Sequence, residues 1–265
     1  MTDREQNERV RERFTRSAEP FARFAVPNRM IDAETIARLA DPQPNHRALD
    51  LACGPGTFTA ALAARAGFVC GLDLTPAMLA LAQRRMAEAD GGNVALVCGD
   101  ATALPFPTGA FDVAVSGYSL HHMSDPLSVL RELARVVRRG GRIALVDIYV
   151  PEGASGEAND RIERARDASH RHTLGRAEFT ALVQEAGFSV GATQSLERPR
   201  RFTDWMNVAG WKPDDPAFEA TRELLEATLA DDAAGFHPRL LATEPGARAE
   251  IEFTQCCCFL AAERV

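Results

Sequence analysis

Three carboxylates stand near the ends of successive apolar runs: Asp50 in RALDLA, Asp73 in FVCGLD and Asp100 in NVALVCGD. Between the first two lies a bend, Ala52-Cys53-Gly54-Pro55-Gly56, with no bulky side chain except one thiol. A glycine-rich turn between a buried strand and a helix lets the backbone come close to a ligand, and ligands of open α/β sheets bind at that carboxyl edge. An acid ending the second strand can accept hydrogen bonds from both hydroxyls of a ribose. Each such charge-assisted bond is worth about 1.5–3 kcal/mol, enough for the contact to matter to affinity. Asp100, ending the third strand, is placed to accept from an exocyclic amine beside the ribose. The spacing disfavours the common phosphate readers. Ala52, Gly54 and Gly56 recur at every second position without the third glycine of G-x-G-x-x-G, and no lysine follows as a phosphate loop requires. Three neighbouring acids would also repel a pyrophosphate. The chemistry that fits them is a phosphate-free adenosine bearing a cationic substituent.

The elements that must position these groups follow from the pattern around them. From residue 47, short β-rich runs alternate with helical ones: RALDLA, a helix at 57–66, FVCGLD, a helix at 76–88, NVALVCGD, FDVAVSG, a helix at 126–138 and GRIALVDIYV. Continuous apolar strands separated by helices imply a doubly wound α/β core, a parallel sheet covered on both faces. Thr75-Pro76 and Asp125-Pro126 each put a capping side chain before a proline at the first helical position. Residues 4–40 read as two helices. The segment PEGASGEAND reads as a loop, followed by a helix at about 176–186. Two strand-like runs, FSVGATQSLE and RAEIEFTQCCCFLAAE, then flank a mostly helical insertion at 200–249.

Composition narrows the function. The chain has 265 residues, 46% of them apolar and 25% charged, with a formal net charge of −7. That is a globular composition, and the acidic balance disfavours nucleic acid as a partner, because phosphate binding needs clustered uncompensated cations. No apolar run approaches the roughly 18 residues of a membrane span, and MTDREQNERVRERF has no signal-peptide character, so a cytoplasmic protein is expected. Six cysteines, at 53, 70, 98, 256, 257 and 258, include no CxxC pair and no histidine at ligand spacing. They are expected to be reduced, buried thiols, with no metal site.

ALDLACGPGT, GLDLTPAML, CGDATALPF and FDVAVSGYSLHHMSDPLSVLRELARVVRRGGRIAL, in this order and spacing, resemble the successive motifs of class I S-adenosylmethionine-dependent methyltransferases. Within these the chain is similar to the branch of ubiquinone and menaquinone biosynthesis enzymes, methyltransferase type 11. The resemblance covers about 45–150 and implies a seven-stranded, mostly parallel sheet with an antiparallel last strand, at 250–262, paired with 188–197. It implies S-adenosyl-L-methionine as cofactor and a small-molecule methyl acceptor, quinone-like or aromatic. It also implies residue roles. Asp50 would orient the turn or the cofactor's amine, with Ala52, Cys53, Gly54 and Gly56 against its methionine portion. Asp73 would hold the ribose, Leu74 and Met78 would pack on the adenine, Asp100 and the Ala101 amide would read the base, and Ser116 would lie beside the sulfonium. The family usually has glycine where this chain has Ala52. FTRSAEPFARF is similar to a lid segment in which relatives carry a tyrosine near the position of Phe21. The implied organisation is a helical lid at 1–44, a cofactor-binding core at 45–150 and a C-terminal part at 151–265, with a homodimer left open.

Methyl transfer from a sulfonium is mainly a matter of alignment, but a phenol, amine or activated carbon must lose a proton, which a histidine can take. SLHHM supplies His121, the candidate base, and His122 just past the fourth strand. A loop-structuring role is the commoner one for such a pair. His170 and His172 either edge the acceptor pocket or cap a solvent-exposed loop, the latter being the default, and His237 is read as a surface residue. The CCC run alternates faces along a strand, so burial explains it better than metal chemistry. Trp205 and Trp211 either cap the acceptor pocket or pack against the sheet, the latter being the default. Arg198, Arg200 and Arg201 either meet an acidic acceptor or form a solvated cluster, the latter being the default, and the arginines at 9, 11, 13 and 16 are read as solvated charge. Two other classes compete: a non-catalytic module that holds the cofactor or a protein, and a nicotinamide oxidoreductase, the latter opposed by the glycine spacing and Asp100.

Overall fold

The predicted strand runs are so apolar that both of their faces must be covered, and they pair with one another in a single sheet. In the computed structural model, which describes residues 2–89, 91–242 and 248–265, they are β1 (Arg47–Leu51), β2 (Phe68–Asp73), β3 (Val94–Cys98), β4 (Phe111–Gly117) and β5 (Val137–Ile148). Two long strands complete the sheet, β6 (Phe188–Arg201) and β8 (Glu250–Arg264), in the order β3-β2-β1-β4-β5-β8-β6. Pairing is parallel through β5, while β8 lies antiparallel between β5 and β6. An eighth strand, β7 (Arg239–Leu241), pairs with the start of β8 inside the expected helical insertion. This adds one strand to the seven the resemblance implies.

Strand alternation sorts the core. Leu49 and Leu51 face one side with Leu72, Leu145, Phe179 and Leu260, whereas Ala48 faces the other with Val69, Val115, Val146 and Phe259. The first side is covered by α6 (Pro126–Val136) and α8 (Arg176–Glu185), the second by α3 (Val26–Ala40) and α4 (Thr57–Ala63). Cys258 belongs to the first cluster and Cys257 to the second, the alternation expected of the cysteine run. A third cluster joins α7 (Gly156–Arg166), α9 (Phe202–Val208) and α10 (Pro216–Ala227) around Phe202, Trp205, Phe236 and Phe253.

Several local expectations change. The N-terminal segment forms three helices, α1 (Asp3–Arg16), α2 (Ala18–Phe24) and α3, because Pro20 and Pro27 each fall in the first turn of a new helix, where a missing N–H costs nothing. The PEGASGEAND loop turns helical at Gly156, with Ser155 accepting from the Ala158 amide at 3.3 Å. Helix α6 stops at Val136 because Val137 already pairs with Phe111. Asp125 caps that helix through the Ser128 amide, but Thr75 makes no side-chain cap on α5 (Pro76–Glu88). Its own amide donates to Asp73 instead, at 2.8 Å. Cys98 is exposed, unlike the other five cysteines. Among the described residues no helix is long and apolar enough to cross a membrane.

Candidate active site

The bend after β1 is pinned from two sides. The Cys53 amide donates to the Leu72 carbonyl at 3.0 Å and the Gly54 amide to Oδ2 of Asp73 at 2.8 Å, so the turn is tied to the end of β2. Gly54 has φ +52°, and a Cβ placed on it would meet nothing within 4 Å. Gly56, at φ +79°, faces away, where a Cβ would come 3.1 Å from that of Ala82. The two glycines therefore serve different ends, one leaving a cradle open and the other letting α4 approach α5. Ala52 adopts φ +55°, a left-handed conformation that costs a residue with a Cβ about 1–2 kcal/mol.

This cradle opens into a cavity with about 930 Å³ of empty space, part of it open to solvent. Of the residues expected at the cofactor, Ala52, Cys53, Gly54, Asp73, Leu74, Met78, Asp100 and Ala101 stand in its wall. Asp73 is 8% exposed; burial raises its pKa, and hydrogen bonds from the Thr75 and Gly54 amides oppose that rise without cancelling it. Asp100 accepts from the amide and hydroxyl of Thr102 through Oδ1, each at 2.8 Å, and from Nδ2 of Asn7 through Oδ2 at 2.5 Å.

The remaining expected residues lie behind the wall. Asp50 is fully buried under the turn, with Thr59 donating to Oδ2 at 2.6 Å and no hydrogen-bond partner for Oδ1. Burial, with the charge of Asp73 adding to it, raises its pKa to about 7. The Ser116 hydroxyl donates to the Leu51 carbonyl and meets the Ser119 hydroxyl at 2.7 Å, and it is Ser119 that reaches the cavity. Gly56 packs into the helix pair described above.

The other side of the cavity is closed by the N-terminal helices. Asn7, Val10 and Phe14 of α1, Phe21 of α2 and Arg29 of α3 all line it. Helix α1 is held down by buried polar contacts. Gln6 donates to the carbonyls of His122 and Ser169 at 2.7 and 2.6 Å, and Arg13 pairs with Asp167 at 2.9 Å with both side chains about 5% exposed. Arg13 thus leaves the solvated face expected for it. The spacing of Asn7, Val10 and Phe14 already marks one helical face, a signal available in the sequence.

A second cavity, with about 620 Å³ of empty volume, abuts the first, and Arg29 and Tyr118 stand in the walls of both. Tyr118 has φ +58°, unusual for a bulky side chain, and its hydroxyl donates to Asp32 at 2.7 Å. His121 lines this second cavity and not the first. Its Nδ1 is 2.5 Å from Oδ1 of Asp147, whose Oδ2 accepts from the Leu120 amide at 2.8 Å. A carboxylate accepts only, so Nδ1 carries a proton and Nε2 is the basic nitrogen. Desolvation opposes charging of the ring, but the charge and hydrogen bond of Asp147 outweigh it and the pKa is raised. Asp147 was legible only as the one acid in the apolar run RIALVDIYV.

His122, by contrast, lines the first cavity and bonds through Nδ1 to the Ser169 carbonyl at 3.2 Å. Burial first, then the neighbouring His121, lowers its pKa to about 3, so the ring is neutral. His170 is buried, stacked on His121 with centroids 5.6 Å apart, and bonded to Asp160 at 2.9 Å. It is neither a solvent-exposed cap nor part of either cavity wall. His172 is half exposed and bonded to the same Asp160, and His237 pairs at the surface with Asp232. Trp205 both packs in the third cluster and lines the second cavity, while Nε1 of Trp211 donates to the Arg166 carbonyl at 2.7 Å.

Residues 49–145 match the family described as methyltransferase domain. An uncharacterized methyltransferase, YcgJ of Bacillus subtilis, is 30% identical over 202 residues, spanning 76% of this chain and 80% of that protein. This chain belongs to the S-adenosylmethionine-dependent methyltransferases. The crystal structure of YcgJ superposes with a TM-score of 0.77 at 25% identity, covering 88% of this methyltransferase and 98% of that chain. Demethylmenaquinone methyltransferase of Shouchella clausii is 38% identical over 114 residues, 42% of this chain and 48% of that enzyme. The match to the menaquinone enzymes thus spans about half of their length.

Proposed function

We propose that this methyltransferase binds S-adenosylmethionine in the first cavity and methylates a small aromatic or quinone-like molecule held in the second. The observation that carries the reading is the pair of abutting cavities that share Arg29 and Tyr118, with the His121–Asp147 pair in the wall of the second. The residues present suit the cofactor: the cradle over Gly54 is open, Asp73 supplies a buried acceptor, and Oδ1 of Asp50 is buried without a partner. When bound, the cofactor supplies a methyl group on a sulfonium, whose leaving ability makes a covalent enzyme intermediate unnecessary.

The protein's own share is placement and proton handling. Asp73 would hold the ribose hydroxyls, Asp100 and the Ala101 amide the base, and Leu74 and Met78 its faces. Ala52, Cys53 and Gly54 would cradle the methionine portion. From behind, Asp50 and Ser116 would act through the turn and through Ser119. Residues 1–44 act as a lid, in which Phe14 and Phe21 exclude water, over a core at 45–150, and 151–265 completes the sheet and the acceptor side. Nε2 of His121 takes the proton that the acceptor must lose, and Asp147 holds the ring in that tautomer.

Calorimetry tests the first half. S-adenosylhomocysteine should bind with micromolar or better Kd, and Asp73→Ala should weaken it at least tenfold, the equivalent of about 1.4 kcal/mol. Absence of both heat and thermal shift would reject the reading. Transfer of a labelled methyl group from the cofactor to a component of a metabolite extract tests the second half, and tight binding with sustained absence of transfer would favour a non-catalytic module.

A further inference from the structure

The second cavity holds more positive charge than its own acids balance. Arg29, Arg166 and Arg200 line it, against Glu163 and Asp204. Arg166 is accounted for: it lies 3.6 Å from Glu163, its Nε donates to the Trp205 carbonyl at 3.2 Å, and its guanidinium covers the Trp205 ring at 4.4 Å. Asp204 is exposed at the rim and, among the described residues, has no ion pair. The arginines nearby are likewise matched, Arg13 with Asp167 and Arg198 with Asp32. Arg29 and Arg200 are the exceptions. Among the described residues neither forms an ion pair, and Arg29 lies against aromatic faces, with its guanidinium 3.8 Å from the Tyr118 ring centroid and 5.3 Å from that of Phe21. Nε of Arg200 is buried without a hydrogen-bond partner.

A guanidinium taken out of water without an anion is costly, and the cost is recovered when a ligand delivers one. Burial above all, and then the charge of Arg200, disfavour the charged form of Arg29, while Tyr118 and Asp32 favour it without cancelling the burial cost; two cations facing one cavity are an arrangement that a shared counter-ion relieves. The guanidinium fork matches the two oxygens of a carboxylate or phosphate. We propose that the methyl acceptor carries a carboxylate or phosphate that Arg29 and Arg200 hold in the second cavity, with its ring system between Tyr118 and Trp205. This deepens the function proposed above and rests on it for the word acceptor. The anion site itself stands on the arginines.

The test uses the whole protein, with and without saturating S-adenosylhomocysteine, and three probes of one shape: 2-naphthoate, 2-naphthyl phosphate and the uncharged 2-naphthamide. Calorimetry should show at least one anion binding tenfold or more tighter than the amide. Whichever anion is preferred names the group. Arg200→Gln and Arg29→Gln should each reduce that preference at least fivefold, Arg200→Lys should retain part of it, and Arg201→Gln, an exposed neighbour, should leave it intact. Arg200→Gln should leave the Kd of S-adenosylhomocysteine within twofold. Equal binding of anion and amide, no binding of any probe at millimolar concentration, or an anion preference that survives both glutamine variants overturns the proposal. So does an Arg29→Gln variant that weakens only S-adenosylhomocysteine while Arg200→Gln changes nothing, because the free guanidinium would then serve the cofactor's own carboxylate. If S-adenosylhomocysteine fails to bind at all, the function proposed above falls, while the titrations without it still decide the anion site.

Discussion

Nδ1 of His121 and Oδ1 of Asp147 are 2.5 Å apart, a histidine from the turn after β4 and an acid from the end of β5 held together at the wall of the second cavity. The same carboxylate accepts from the backbone amides of Leu120 and Ile148 at 2.8 Å, so it cannot swing away from the ring. Because Asp147 raises the His121 pKa above 6.5 despite burial, the ring is a base only above that raised value.

Proton nuclear magnetic resonance titration of His121 is therefore expected to give a pKa above 6.5 in the wild type and a lower one in Asp147→Asn, where only the weaker pull of Glu163 and Asp167 opposes desolvation. Turnover of an acceptor that must lose a proton should rise with pH through the same value. His121→Ala should reduce kcat by about 10²–10⁴-fold while leaving the Kd of S-adenosylhomocysteine unchanged. An unaltered kcat in that variant removes His121 from catalysis.

Asp50 provides a pH signature of stability. Its folded pKa of about 7 exceeds the ordinary 3.8, so the folded state binds a proton that the unfolded chain releases, and stability is lost as pH rises from 3.8 through 7. Between pH 5 and pH 8 the wild type without cofactor should lose about 2–3 kcal/mol relative to Asp50→Asn, measured by urea unfolding. Parallel stability curves for the two proteins would show that the carboxyl ionises normally beneath the turn.

Ala52→Gly should relieve the left-handed strain at the bend. The relief of about 1–2 kcal/mol is partly offset by the greater chain entropy of glycine, about 0.5–1 kcal/mol. A net gain of up to about 1 kcal/mol, or a Tm higher by up to about 3 °C, is expected from calorimetric melting. A lower Tm would mean that the Ala52 methyl group contributes packing that outweighs its backbone cost.

The lid should answer to Arg13. Replacing it by methionine leaves Asp167 buried without its partner, a change worth about 3–5 kcal/mol where the helix must stay docked. Because α1 lies over the first cavity outside the sheet and is held there by side-chain contacts, the expected response is local undocking. Hydrogen exchange should accelerate over residues 3–16 with the sheet protected as before, and S-adenosylhomocysteine should dissociate faster. Unchanged exchange at those amides would show that Gln6 and Phe14 hold the helix without the ion pair.

Much of the fold was legible because it is local or periodic. The runs around Leu49, Val69, Val115 and Ile143 are mostly apolar on both alternating faces, which a two-sided sheet accommodates, and Pro76 and Pro126 start helices where they stand. Helix α7 was hidden because Gly, Ser and Glu at its start also suit a loop, and its anchor, Ile162, packs on Phe202 and its neighbours, residues far along the chain.

The chain order by itself determined that a narrow turn with acids at adjacent strand ends would form, since strand, glycine turn and helix are specified within a few residues of one another. Tertiary structure alone decided which of the expected residues fall behind the cavity wall. Asp50 and Ser116 sit near the ends of their strands yet turn inward, Asp50 to the Thr59 hydroxyl of α4 and Ser116 to the Leu51 carbonyl. Arg29, Tyr118, Asp147 and Arg200 meet from four distant segments around two cavities. No periodicity encodes such a meeting, because it depends on how α3, β5 and β6 pack, and it is there that buried charges find their partners or are left to wait for a ligand.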